Sequence, residues 1–224
     1  MRAVLALFAL VLATAAAPAP DPLLQQILAG ARAVPPASTA WERTQKQTGK
    51  DADGGASETH VQVDRWDGQQ LVRVSSDGKP PSAEATAQYK KATAGKPVPG
   101  YHRIADYLKA GAVRGSDAQG RIVYRVTGLP KGSINIGKDI SANLVAEALV
   151  DSSGPQPFVS RLRIMLPKPL SFLFIAKLDS FEVVNDYRMI NGKPTLVHQT
   201  QAMSGSQMGS AGSTRSESTY TPLR

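Results

Sequence analysis

Hydrophobic and polar positions alternate with a period of two through much of the last third of the chain. Phe158, Ser160, Leu162 and Ile164 fall on one face of an extended segment and Arg161 and Arg163 on the other, the pattern of a strand with one buried and one wet face. Pro167 and Pro169 end that pairing, because proline has no N–H to give to a ladder. The apolar run Phe172–Ile175 follows, and alternation resumes at Lys177, Leu178 and Asp179. Phe181 to Met189 reads as the next strand, with Phe181, Val183, Tyr187 and Met189 on one face. Asn191-Gly192 supplies a tight turn, Thr195 to Met203 pairs back, Ser204 to Ser213 reads as a flexible Ser/Gly connection, and Thr214 to Tyr220 closes the series. Strands this close in sequence are most simply antiparallel neighbours, a β-meander.

Upstream the period changes. Leu24, Ile27, Leu28 and Ala31 recur at helical spacing behind Asp21 and Pro22, a cap and a first-turn proline that start a helix. Strands are expected at Thr39–Thr48, Glu58–Asp67 and Gln70–Ser75, with Val61 and Val63 on one face and His60, Gln62 and Asp64 on the other. Trp41 and Trp66 bracket this group as packing residues. Ser82 caps a helix to about Ala94, with Gly95 beyond it. After a Pro/Gly stretch, Tyr101, Ile104, Ala105 and Leu108 form the apolar face of a second helix. This helical insertion, at about 82–110, interrupts the strands. Ala112–Arg114 and Arg121–Thr127 form a hairpin, and Ala142 to Val150 carries one wholly apolar strand face.

The first residues change the compartment. A short basic start, the apolar stretch Ala3–Leu12 and the small residues Ala15-Ala16-Ala17 have the layout of a secretory signal peptide spanning 1–17. The apolar stretch falls short of the roughly twenty residues a bilayer span needs. The expected mature protein, 18–224, is a single β-rich domain in the periplasm, with no transmembrane segment after cleavage. There is no cysteine, which removes disulfides, thiol catalysis, thiolate metal sites and a lipid-bearing cysteine. A net charge of +8 favours anionic lipid head groups or envelope polymers. Nucleic acid is not expected, since the aromatic residues do not interleave with the basic ones.

Three near-motifs fail on chemistry. Gly132 to Asp139 approximates a phosphate-binding loop, but Asp139 stands where a magnesium-holding hydroxyl belongs. Ser76-Asp77-Gly78-Lys79 matches S-x-x-K, but a glycine and two following prolines deny the helix that would align serine with lysine. His60, His102 and His198 show no metal-binding spacing. No catalytic residue, cofactor or metal is expected on these grounds.

The order of elements resembles the LolA/LolB-like superfamily of periplasmic lipoprotein carriers and outer-membrane lipoprotein receptors. The likeness lies in layout: an N-terminal helix, antiparallel strands interrupted by helices, then the meander with Arg161-Leu162-Arg163-Ile164 and Tyr187-Arg188 before Asn191-Gly192-Lys193-Pro194. It implies an α+β fold, a curved antiparallel β-sheet (half-barrel) covered by a few helices, around an apolar cavity suited to acyl chains. The expected function is non-catalytic binding of a lipidic or apolar ligand, with a lipid, lipoprotein or anionic envelope polymer as partner. Val61, Val63, Leu162, Ile164, Phe172 and Phe174 are the expected ligand contacts. The alternatives are an envelope interaction or stress-sensing module that uses the basic surface, and a hydrolase assembled from dispersed residues.

Overall fold

The computed structural model describes residues 21–36, 40–50, 59–95, 98–109, 111–172 and 176–223. The signal segment 1–17 lies outside them. The chain is α+β: antiparallel strands form one large open sheet, accompanied by three helices.

Helix α1 spans Pro22–Arg32. Asp21 caps it by accepting the N–H groups of Leu23 and Leu24 at 2.9 and 3.3 Å. Its other carboxylate oxygen accepts the Tyr124 hydroxyl at 2.7 Å, so one side chain starts the helix and ties it to the sheet. The predicted stripe Leu24, Ile27, Leu28 and Ala31 is buried. Helix α2, Ala83–Thr93, begins at the Ser82 cap and buries no residue. Gly95 beyond it takes φ +68°, the left-handed conformation glycine tolerates best. Helix α3, Arg103–Leu108, buries Ile104, Ala105, Tyr107 and Leu108. It packs on α1 and on the sheet, whereas α2 lies mainly against the edge strand that carries Leu71–Ser76.

The strands are β1 (Trp41–Lys50), β2 (Thr59–Trp66), β3 (Leu71–Ser76), β4 (Val113–Ser116), β5 (Ile122–Thr127), β6 (Val145–Asp151), β7 (Phe158–Met165), β8 (Leu170–Phe172), β9 (Ala176–Ile190), β10 (Lys193–Gln207) and β11 (Ser210–Pro222). Their spatial order is β3-β2-β1-β11-β10-β9-β7-β6-β5-β4, with β8 paired to β9. Most neighbours are also close in sequence. The exception is β1, which pairs with β11 along its whole length, from Trp41 opposite Pro222 to Lys50 opposite Ser213.

Two stretches differ from the sequence expectation. Ser204–Ser213 is not a loose connection: β10 and β11 stay paired to Gln207 and Ser210 and turn at Met208-Gly209. Backbone hydrogen bonds suffice for pairing, and here small residues are required. A Cβ on Gly205 would lie 2.2 Å from the Lys177 carbonyl oxygen. Before β6, Ser141–Asn143 forms a single 3-10 turn and the strand starts at Val145.

A register shift between Leu149 and Val150 places Val159 rather than Ser160 on the face shared by Leu162 and Ile164. The buried Val159 N–H donates to the Tyr101 hydroxyl at 2.9 Å. Tyr101 therefore satisfies an amide that the irregular ladder does not, and it anchors the start of the α3 segment. Its ring meets Tyr187 edge-on with centroids 5.2 Å apart.

Candidate functional site

Cross-strand register divides the core face of the sheet into two chemistries. From β9 to β5 the facing residues are apolar: Val183, Ile164, Ala146 and Val126 lie in one row. Continuing that row the other way, across β10, β11 and β1, gives Gln201, Ser216 and Gln47. The adjacent row changes character at Asn185, with Leu162, Ala148 and Tyr124 on one side and Gln199, Ser218 and Gln45 on the other.

A cavity of about 690 Å³ spans that boundary. This falls within the roughly 300–1,000 Å³ typical of small-molecule sites. One wall is apolar, from Ile164, Phe181, Val183 and Leu196; another carries Asn185, Gln199 and Gln201; Arg103, Tyr107 and the 132–137 loop complete the lining. The polar wall is pre-ordered. Gln199 donates to the Asn185 side-chain oxygen at 2.7 Å and accepts the Tyr220 hydroxyl at 3.3 Å. Arg103 Nη1 donates to Asp106 at 3.1 Å and Nη2 to the Tyr107 hydroxyl at 3.3 Å. Its guanidinium lies over the Tyr107 ring, 5.0 Å from the centroid. Burial, reinforced by neighbouring tyrosines, pushes the Tyr187 hydroxyl well above the usual range, so it faces the cavity uncharged. Among the described residues the lining holds no carboxylate, histidine or lysine.

A second cavity, about 390 Å³, is lined by Phe172, Leu178, Met203 and the Gly/Ser residues of the β10–β11 hairpin. Ile136 borders both cavities. Beyond the polar rows, under α2, Arg43 and Arg73 both donate to the fully buried Asp64. The Arg73 guanidinium also stacks on Tyr89 of α2, 4.4 Å from the ring centroid. This contact holds a helix that buries no side chain of its own.

The six expected ligand residues are dispersed. Ile164 lines the main cavity and Phe172 the second. Leu162 is core, with 0 % exposure. Val61 and Val63 are half-buried on the face of β2 opposite Asp64 and Trp66, which are the buried residues of that strand. The pairing of Trp66 with Trp41 and of Asp64 with Arg43 fixes the register of β2 and sets the valines on its other face. Phe174 lies outside the described residues. Sequence reasoning missed Arg103, which sits on a helix read as apolar, and Asn185, Gln199 and Gln201. Strand β10 is polar on both faces here, so alternation could not mark which glutamines turn inward.

The near-motifs find structural explanations. In the 132–139 segment the Gly132 N–H donates to Asp139, the Ile134 N–H to Ser141 and the Gly137 N–H to Asn135. Amides that would cradle a phosphate are thus used within the loop. Ser76 and Lys79 exchange backbone hydrogen bonds across an Asp77-Gly78 turn with φ of 50° and 77°, a hairpin and not a helix. Among the described residues no group of three or more His, Asp or Glu is placed to hold a metal ion, and no helix is long and apolar enough to cross a membrane. Several basic side chains on the outer face are paired: Arg161 with Asp186 at 2.6 Å, Arg125 with Glu147 at 3.2 Å, and Arg163 with Glu182.

No family model matches this chain, and no curated protein matches it. Among solved structures, the crystal structure of the ywiB protein from Bacillus subtilis is similar over 81 % of this chain and 91 % of that one, at 9 % identity and a TM-score of 0.17.

Proposed function

We propose that this chain is a periplasmic, non-catalytic binder of a lipidic ligand, held in the cavity between the sheet and the 98–107 and 132–137 segments. On this reading the sheet is a curved half-barrel, and its open side is covered by helices. The observation that carries the proposal is the composition of the cavity wall. A ligand with an apolar body finds Ile164, Phe181, Val183 and Leu196 on one side, while amide groups opposite meet a polar end. The lack of a carboxylate, histidine or lysine among the described lining residues supports binding over catalysis. Export rests on the residue pattern of 1–17. The pairing of Arg161, Arg163 and Arg125 with carboxylates reduces the free positive charge available to a surface-interaction module.

The test is native mass spectrometry of protein purified from the periplasm under mild conditions, with extraction of any bound species. Gln201 is a half-buried lining residue, so Gln201→Phe places a ring in the cavity while removing no core side chain. Acyl species should accompany the wild type and be lost from the variant, while its melting temperature stays within a few degrees. Clean apo-protein that also takes up no added lipid overturns the proposal.

A further inference from the structure

Resting on the binding reading above, we infer that the ligand is a single-chain amphiphile with an oxyanion head group, a carboxylate or a phosphate monoester, and that Arg103 recognises that head. Arg103 carries the one formal charge among the described residues lining the main cavity. Its side chain is 16 % exposed, against 43 % for its partner Asp106. The guanidinium is thus more withdrawn from water than the carboxylate that neutralises it. Of the roughly five N–H groups of a guanidinium, two hydrogen bonds are formed in this structure, to Asp106 and to the Tyr107 hydroxyl. The remaining donors can bind a second oxyanion, and the fork geometry of arginine suits carboxylate and phosphate alike. Stacking over Tyr107 fixes the plane of that fork.

The rest of the lining accounts for the rest of the ligand. Asn185, Gln199 and Gln201 offer neutral hydrogen-bonding groups beside the head. The apolar wall from Leu196 to Phe181 accepts the start of the chain. Past Ile136, the boundary with the second cavity, Phe172 and Met203 extend the apolar path. An uncharged head group forms only neutral-acceptor hydrogen bonds with the remaining Arg103 donors, which are weaker than those to an oxyanion. A fatty alcohol should therefore bind chiefly through its chain.

The test titrates the full mature chain with a sixteen-carbon fatty acid, the corresponding alcohol and the corresponding alkyl phosphate, by displacement of a fluorescent lipid probe. Wild-type protein is expected to bind at least one of the two anions about ten- to a hundredfold more tightly than the alcohol, the span of one charge-assisted hydrogen bond. The tighter of the two anions identifies the head group. Arg103→Gln should abolish the preference, so that within this variant both anions bind no more tightly than the alcohol. Asp106→Asn, a substitution at a more exposed position, should strengthen anion binding and leave the alcohol unaffected, which tests the same idea without altering Arg103. Equal binding of acid, phosphate and alcohol by the wild type overturns the head-group inference and leaves the carrier reading standing. So does a preference that survives Arg103→Gln. Failure of all three ligands to bind overturns the carrier reading itself.

Discussion

Replacing Asp64 with alanine removes the one carboxylate that two guanidinium groups share. Arg43 and Arg73 both donate to Asp64; each arginine side chain is 15 % exposed, and Asp64 is 0 % exposed. The variant leaves two like charges facing each other in a site largely closed to water. Removing one partner of a buried ion pair costs about 3–5 kcal/mol, a large share of the roughly 5–15 kcal/mol that stabilises a typical domain. Asp64→Asn keeps the shape and an acceptor oxygen, so its cost should fall to about 1.5–3 kcal/mol, the worth of a hydrogen bond to a charged group. Adding Arg73→Met to Asp64→Ala removes one orphaned charge. The double variant should therefore be more stable than Asp64→Ala alone, a non-additivity of about 1 kcal/mol or more. Urea denaturation followed by tryptophan fluorescence reads this region directly, because Trp66 lies two residues along β2 from Asp64 and faces Trp41. An Asp64→Ala variant within about 1 kcal/mol of wild type at unchanged m-value would refute the reasoning. Strict additivity in the double variant would do the same.

Asp21→Ala should cost about 2–3 kcal/mol, combining a lost helix cap of about 1 kcal/mol with a Tyr124 hydroxyl left without its acceptor. The Tyr124 hydroxyl bond, with the helix amides, holds the Asp21 carboxyl below the usual carboxylate range. Its contribution is therefore complete above the unfolded-state pKa of about 3.9 and fades as pH falls through the lower folded value. The melting-temperature gap between wild type and Asp21→Asn should accordingly narrow below about pH 4; a gap that stays constant down to pH 2 contradicts this account. Gly205→Ala forces a Cβ to within 2.2 Å of the Lys177 carbonyl oxygen, so β9 and β10 must part locally. A loss of about 1–3 kcal/mol and faster amide exchange over 204–213 are expected, and wild-type stability with wild-type exchange would show that the strands accommodate the methyl.

Elements that bury a periodic apolar stripe were legible in the sequence. The α1 stripe and the Asp21 and Ser82 caps appear where spacing and cap chemistry place them. Leu162 and Ile164 turn inward opposite Arg161 and Arg163. The outer halves of β10 and β11 were illegible because Ser204–Ser213 has no hydrophobic pattern to read, and its pairing is carried by backbone groups. On β2, two valines outweighed a lone aspartate in the local pattern. Only the distant Arg43 and Arg73 make it possible to bury Asp64, and no local window contains them both. The main cavity was hidden for a related reason: its polar wall is assembled from Asn185, Gln199 and Arg103, whose inward orientation depends on which strand or helix lies alongside.

The pairing of β1 with β11 has a kinetic consequence. Trp41 opposite Pro222 and Lys50 opposite Ser213 are contacts between nearly opposite ends of the described chain, and β2 and β3 join the sheet only through β1. The β5-β6-β7-β9-β10 part can form from mostly local hairpins as the chain emerges. The β1–β3 part, with its buried arginines, has no edge to dock on until the last strand is in place. Closing so long a loop before its contacts form makes this step slow. A chain stopped before Ser210 would present β10 as an open edge and β1–β3 as an undocked flap, a form suited to recognition by chaperones and proteases.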